Sequence, residues 1–365
     1  MTKNEKYIFS ENPEDDLWEE LLKFAYEENI KRYFKKKGFE EDNNVINTIS
    51  GSFFQAYEYY KSSKSASLQI SPLLLYYGTV NLFNGMADLM AGKVVEIKTH
   101  GMKIEIDEHN QFIAGTKVKF NNPEKGGVHL FADAFGYDIK LTEYGNDWIL
   151  DNFLDSIAEI NDDYLTCYNK SFGNVCMLDV YKTPEGLIEK AYFNENQKQE
   201  LLDLFGHVLG FEKSYLRPTI GKKDGQNYYI LRHKMAGEDI SQISYSGQPY
   251  LRASHIKNSR NITVPTPISM HIILFVLASL CRYYPEIWSP FVQKDTTGEK
   301  LLFEKLLFYI RRMVPNFVLN HIYNKKVKFS SDKYTIHDMV KLVGEHEVKE
   351  IVAKEVMKRM NNINL

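Results

Sequence analysis

The stretch Val94-Val95-Glu96-Ile97-Lys98 has the hydrophobic-hydrophobic-Glu-x-Lys form of metal-dependent nucleases. On a strand, Glu96 and Lys98 would share a face, where the carboxylate would hold Mg²⁺ and the amine would orient or activate a water. Such a site needs a second carboxylate. Asp88 lies eight residues before Glu96, and His100 follows in the next turn. Asp88, Glu96, Lys98 and His100 are therefore the catalytic candidates, with Mg²⁺ as cofactor under that reading alone. Otherwise no cofactor and no resident metal is expected. Asp138-Ile139-Lys140 and Glu347-Val348-Lys349 fit the same loose pattern. A half-exposed strand of alternating charge accounts for the spacing as well.

A different chemistry is written into polar residues on apolar helices. Asn81, Asn84 and Asp88 fall at i, i+3 and i+7 on an otherwise apolar segment, one stripe that must face a cleft or a hydrogen-bond network. His271 and Arg282 share a face of a second apolar helix, about 16 Å apart along its axis. They could bind two ends of one ligand but not act on one atom. Arg282 precedes Tyr283, Tyr284 and Glu286, so ion pairing with Glu286 or stacking on an aromatic ring is the structural alternative. Arg252, His255, Lys257 and Arg260, interspersed with Tyr245, Tyr250 and Ser254, form a local cationic cluster suited to phosphate or a nucleotide. A solvated basic loop is its plainer reading.

Other mechanisms lack their signatures. No GxGxxG, GxxxxGK[ST], HExxH, GxSxG or paired zinc spacing occurs,. The Arg-x(4–6)-His spacing of helical ribonucleases is missed by Arg252 and His255, which are too close. Arg260 and His271, and likewise Arg312 and His321, are too far apart.

The elements that must position these groups follow from periodicity and punctuation. Asn12 and Pro13, then Glu14, Asp15 and Asp16, open a first helix that runs to Gly38. Further helices are expected over 44–61 and 72–91, the last apolar on nearly every side. At Gly92 the texture changes to short β-rich pieces: 94–98, 102–106, 112–114, 117–120 and 128–131. A helical interlude over 150–170 precedes strands over 175–181 and 187–193, a helix over 195–209 and strands over 214–220 and 227–233. Residues 237–266 are expected as an ordered loop, and helices over 267–284, 299–323 and 335–360 close the chain. The alternation is not a βαβ rhythm, so the fold class is α+β: helical N- and C-terminal segments around a central mixed region of short, mostly antiparallel strands. The expected division is 1–92, 93–240 and 241–365 within one compact unit.

With 365 residues, 44% hydrophobic and 25% charged, the chain can build a large core without disulfides,. Lys and Arg number 45 against 48 acids, a net charge of −3. Extended nucleic-acid binding is therefore not expected. The N-terminus lacks an apolar signal region, the three cysteines lack CxxC spacing, and the apolar run 268–281 is short for a bilayer,. The expectation is a cytoplasmic protein without a membrane segment. Its many tyrosines and phenylalanines also fit a protein partner or a homo-oligomer.

Three blocks carry a resemblance. They are Ser71-Pro72-Leu73-Leu74-Leu75-Tyr76-Tyr77-Gly78, with His100-Gly101 downstream; Leu280-Cys281-Arg282-Tyr283-Tyr284-Pro285-Glu286-Ile287-Trp288; and Val314-Pro315-Asn316-Phe317-Val318-Leu319-Asn320. Together with Trp18 and Glu28-Asn29-Ile30-Lys31-Arg32-Tyr33 they resemble the bacterial YaaC-like family from about residue 15 to 325. The resemblance implies an intracellular protein and carries no catalytic set. It adds interest to Asn81, His100 and Arg282. The expected function is a regulatory or interaction protein that binds a phosphorylated metabolite or nucleotide. The alternative is a nucleic-acid- or nucleotide-processing enzyme, metal-dependent and nuclease-like, of stress or phage defence.

Overall fold

A computed structural model describes residues 5–106, 112–121, 126–139, 141, 147–183, 186–235, 237–257 and 260–330. Strand β1 (Glu5–Phe9) is followed by helices α1 (Pro13–Leu22), α2 (Glu27–Lys37), α3 (Asn43–Ser65) and α4 (Ser71–Ala91). Their ends follow the chemistry of the sequence. Three acids occupy the first turn of α1, Gly38 closes α2 at φ 74°, and the Asp42 carboxylate caps α3 by accepting from the Asn44 amide at 2.8 Å,. Helices α3 and α4 approach closely because Gly78 has no side chain: a Cβ there would lie 2.7 Å from the Tyr60 ring. The Tyr60 and Thr79 hydroxyls, 2.7 Å apart, satisfy each other inside that contact,.

The middle of the chain supplies β2 (Met102–Glu105), β3 (Lys117–Phe120), α5 (Gly127–Ala134), β4 (Trp148–Ile149), α6 (Asp151–Leu154) and α7 (Asn161–Cys167). Strands β2, β3 and β4 form one antiparallel sheet. Next come β5 (Val175–Met177), β6 (Asp179–Thr183), β7 (Gly186–Phe193), α8 (Lys198–Gly206), α9 (Phe211–Ser214), β8 (Thr219–Lys223) and β9 (Gln226–Leu231). The order β6-β7-β9-β8 is antiparallel throughout. Strands β10 (Gln242–Ile243), β11 (Pro249–Arg252), β12 (His255–Lys257) and β13 (Arg260–Ile262) lead to α10 (Thr266–Tyr283), α11 (Pro285–Lys294), α12 (Glu299–Tyr323) and β14 (Lys326–Ser330). The fold is α+β, and its first and last described strands, β1 and β14, pair in parallel.

The larger hydrophobic core gathers residues from α1 to α7 and from α10 to β14 around α4 and α10. A second core, Cys176 to Ala253, lies between the β6-β7-β9-β8 sheet and helices α8 and α9. Apolar burial thus follows different limits from the changes of texture at residues 92 and 240. Helix α10 is buried without interruption from Pro267 to Leu280. It is long and apolar enough to cross a membrane, but 78% of that span is inside the protein, packed on α4.

Several expected strands are corrected. Residues 94–98 form no ladder, because the Asp88 carboxylate takes the Val95 amide and the first bridge is Thr99 to Gly126. Residues 128–131 belong to α5, where Val128, Phe131, Ala132 and Phe135 are buried at helical spacing,. Residues 112–114 enter a 3₁₀ turn instead, and the amides of Ile113 and Ala114 donate to the buried Glu299 carboxylate at 2.7 and 2.8 Å. The expected loop over 237–266 contains β10 to β13, since backbone pairing prevails over its polar composition,. Helix α11 and the β1–β14 pair were not foreseen. The helix expected over 335–360 lies outside the described residues.

Candidate functional site

The end of α10, the first two turns of α4 and strand β2 enclose a cavity of about 330 Å³. Tyr76 and Tyr77 come from α4, Met102, Lys103 and Ile104 from β2, and Phe275, Ser279 and Arg282 from α10. His100 enters from the chain before β2. Its position depends on two glycines: a Cβ on Gly101 (φ 77°) would lie 2.8 Å from the Gly126 Cα, so only glycine lets these backbones cross. The Gly127 and Val128 amides then donate to the Thr99 and His100 carbonyls at 2.8 and 3.2 Å. The start of α5 thereby holds the histidine backbone.

The polar geometry is specific. The Tyr76 hydroxyl lies 2.7 Å from His100 Nδ1. Burial lowers the His100 pKa from its ordinary value, and the Arg282 charge lowers it further, so the ring is neutral at pH 7. Burial raises the Tyr76 phenol, with Tyr77 and Tyr283 adding to the shift. A phenol that donates to Nδ1 leaves the ring proton on Nε2. Arg282 donates to the Tyr77 hydroxyl and lies 5.0 Å from the Tyr283 ring centroid. Neither Arg282 nor Lys103 forms an ion pair with a described residue, and Glu286 is not the partner of Arg282. Among the described residues no carboxylate lines the cavity.

The remaining candidates lie elsewhere. Asn81 donates to the Tyr77 carbonyl at 2.9 Å, one turn back along α4, while the Asn84 side-chain oxygen is buried without a hydrogen bond. Asp88, pushed up to about 6 by burial, accepts from the Val95 amide at 2.7 Å. Glu96 and Lys98 pair with each other at 3.5 Å on the exposed surface. The proposed catalytic set is therefore split between a backbone cap, a surface ion pair and the cavity histidine. Among the described residues no group of three His, Cys, Asp or Glu side chains is placed to hold a metal. His271 lies behind the cavity, its ring 5.6 Å from Tyr76, 5.1 Å from Phe131 and 5.7 Å from Phe83. Burial, with His100 adding to it, holds its pKa down to about 3.

The cluster around β11 and β12 turns inward. Arg252, 7% exposed, donates to the Val264 carbonyl and to the Thr266 hydroxyl, the latter at 3.1 Å. The carboxyls of Asp155 and Glu159 lie nearby, both with pKa values pushed up by burial. The Asn174 amide reaches both Asp155 Oδ2 and His255 Nδ1 at 2.8 Å, and His255 Nε2 lies 3.7 Å from Asp155 Oδ1. Burial and the Arg252 and Lys257 charges hold His255 down to about 3. Lys257 donates to the Asp147 carbonyl at 3.1 Å and sits 4.9 Å from the Trp148 ring centroid. Arg260 is on β13, opposite Lys257. Arg252, His255 and Lys257 do not line the Arg282 cavity.

A family model described as YaaC-like Protein matches residues 9–322. The chain belongs to the YaaC-like family. No curated protein and no solved structure matches it. The family match in this YaaC-like protein takes in the cavity and the Arg252 cluster and stops short of β14. Sequence reasoning singled out His100 and Arg282, with an aromatic neighbour such as Tyr283 for the arginine, but gave no role to Tyr77, Lys103, Phe275 or Ser279. The one available signal was the Tyr76-Tyr77 pair on a largely apolar helix, since adjacent aromatic hydroxyls are seldom needed for packing alone.

Proposed function

We propose that this YaaC-like protein binds a phosphorylated small metabolite or nucleotide in the Arg282 cavity and acts as a regulatory or interaction protein in the cytoplasm. The observation that carries this reading is the charge of the described lining: Arg282 and Lys103 with no carboxylate among the described residues, beside tyrosine and histidine hydrogen-bonding groups and flanked by aromatic rings. A guanidinium without an acidic partner is available for a phosphate, and Tyr76, Tyr77, Phe275 and Tyr283 offer planar surface for a base or sugar. A volume of about 330 Å³ is in the lower range of small-molecule sites,.

The test is a thermal-shift panel of mononucleotides, dinucleotides, sugar phosphates and their unphosphorylated counterparts on wild type and Arg282→Ala. A ligand at a hundred times its Kd stabilises by about 2.7 kcal/mol, a shift of a few degrees. The reading expects a shift from phosphorylated compounds alone, lost in a variant that still melts cooperatively. A panel that shifts neither protein contradicts it.

A further inference from the structure

A second cavity, of about 320 Å³, lies where α12 meets the chain before α1, the end of α3 and the turn between β10 and β11. Helix α12 places Phe308, Arg311 and Arg312 toward it, at i, i+3 and i+4, and Lys64 and Tyr245 face them,. It shares no lining residue with the Arg282 cavity.

The cations of this cavity outnumber its available acids. Among the described residues Glu14 is the only carboxylate in the lining, and Lys64 holds it at 3.0 Å and also reaches Asp15 at 3.5 Å. Arg311 forms no ion pair with a described residue. Arg312 is stacked between the Tyr245 and Phe329 rings, 5.6 and 4.7 Å from their centroids, and its Nε is buried without a hydrogen bond. Its other polar contacts are the Tyr245 side chain and Asn316 Oδ1, the latter at 3.5 Å. Burial disfavours the charge on both guanidinium groups, and arginine does not deprotonate to escape that cost. Glu14 is the acid whose charge reaches both guanidiniums, and Lys64 already holds it at 3.0 Å, so two adjacent, half-buried cations are left with uncommitted donors that an added anion would satisfy.

We propose that this cavity is a second anion site, which takes the phosphate groups of a small phosphorylated molecule between Arg311 and Arg312, with Tyr245 and Phe308 as walls. The two planar donor forks suit phosphate oxygens, with Lys64 as a point charge at the edge. Occupancy would fasten the β10–β11 turn to α12. That turn is held from its other side, where the Tyr245 amide donates to Glu159 at 2.9 Å. The site stands independently of the reading given to the Arg282 cavity.

Inorganic pyrophosphate is the probe, titrated calorimetrically at fixed ionic strength into the full chain carrying Arg282→Ala, so that the first cavity does not contribute. Saturable binding is expected. Arg311→Gln with Arg312→Gln should weaken it at least about tenfold, a loss of about 1.4 kcal/mol. Glu14→Gln, which removes the competing carboxylate without touching the arginines, should tighten it. Glu14→Gln also keeps the test decisive if the double arginine variant fails to fold. Absence of saturable binding overturns the proposal, as does binding that both sets of substitutions leave unchanged. Loss of pyrophosphate binding in Arg282→Ala alone, with wild type binding normally, places the ligand in the first cavity and overturns it too.

Discussion

Around Arg282 the protein leaves a guanidinium beside a cavity of about 330 Å³, with the Tyr77 hydroxyl as its hydrogen-bond partner. Around Arg252 it does the opposite. There the guanidinium is closed in: its two Nη atoms donate to Val264 and Thr266, its Nε is buried without a hydrogen bond, and the buried carboxyls of Asp155 and Glu159 lie near it. In the sequence the two arginines look alike, each close to tyrosines and within an apolar context. The difference teaches that a cation serves a ligand only when the fold has left its donors uncommitted. Tertiary placement decides that, not residue type.

The largest effect should come from breaking the closed side. Arg252→Ala leaves the Val264 carbonyl without its donor and Asp155 and Glu159 without their nearest guanidinium. It should cost about 2–4 kcal/mol in urea unfolding. A loss below about 0.5 kcal/mol would mean that Arg252 is as uncommitted as Arg282, and the contrast would fail.

Acid sharpens the same contrast. His255 and His271 are held neutral down to about 3 in the folded protein, against about 6.5 in the unfolded chain. As pH falls below 6.5 the unfolded chain takes up these protons and the folded protein does not, so stability declines through that window. Asp88, raised to about 6, acts in the opposite direction, because the folded state binds its proton first. The clean reading is therefore a difference between two proteins. Relative to wild type, His271→Phe should be about 2 kcal/mol more stable at pH 4.5 than at pH 7. Parallel stability profiles for the two proteins would show that His271 protonates freely in the fold.

Tyr76→Phe should have a smaller effect, removing one hydrogen bond to His100 and about 1 kcal/mol of stability,. Burial and the Arg282 charge hold the His100 pKa down and both persist in this variant, so an NMR titration of the ring should stay below its ordinary value. A ring that titrates at or above 6.5 would show that the solvent, not the cavity, sets its state.

Much of the helical frame was legible. Helix α3 carries its Asp42 cap, helices α1, α4 and α10 a proline in the first turn, and all of these with α12 show apolar residues at helical spacing. The first helix, expected unbroken to Gly38, is interrupted between Leu22 and Glu27. The β1–β14 pair was not, because neither strand contains a sign of a partner at the other end of the chain. Helix α5 was misread because a short apolar run fits a strand and a buried helix equally. His100 and Arg282 were legible as polar groups beside aromatics. Lys103 and Tyr77 became partners in one cavity only through the crossing of α4, β2 and α10. The cluster from Arg252 to Arg260 was readable as cationic, but residue spacing does not reveal which side of a strand pair faces the core.

The most direct measurement is arginine modification by a dicarbonyl reagent, read by peptide mass spectrometry with and without the best ligand of the panel. The account predicts that Arg282 reacts readily in the free protein, is protected by the phosphorylated ligand, and that Arg252 stays unreacted in both. Equal reactivity of Arg282 with and without bound ligand would contradict it.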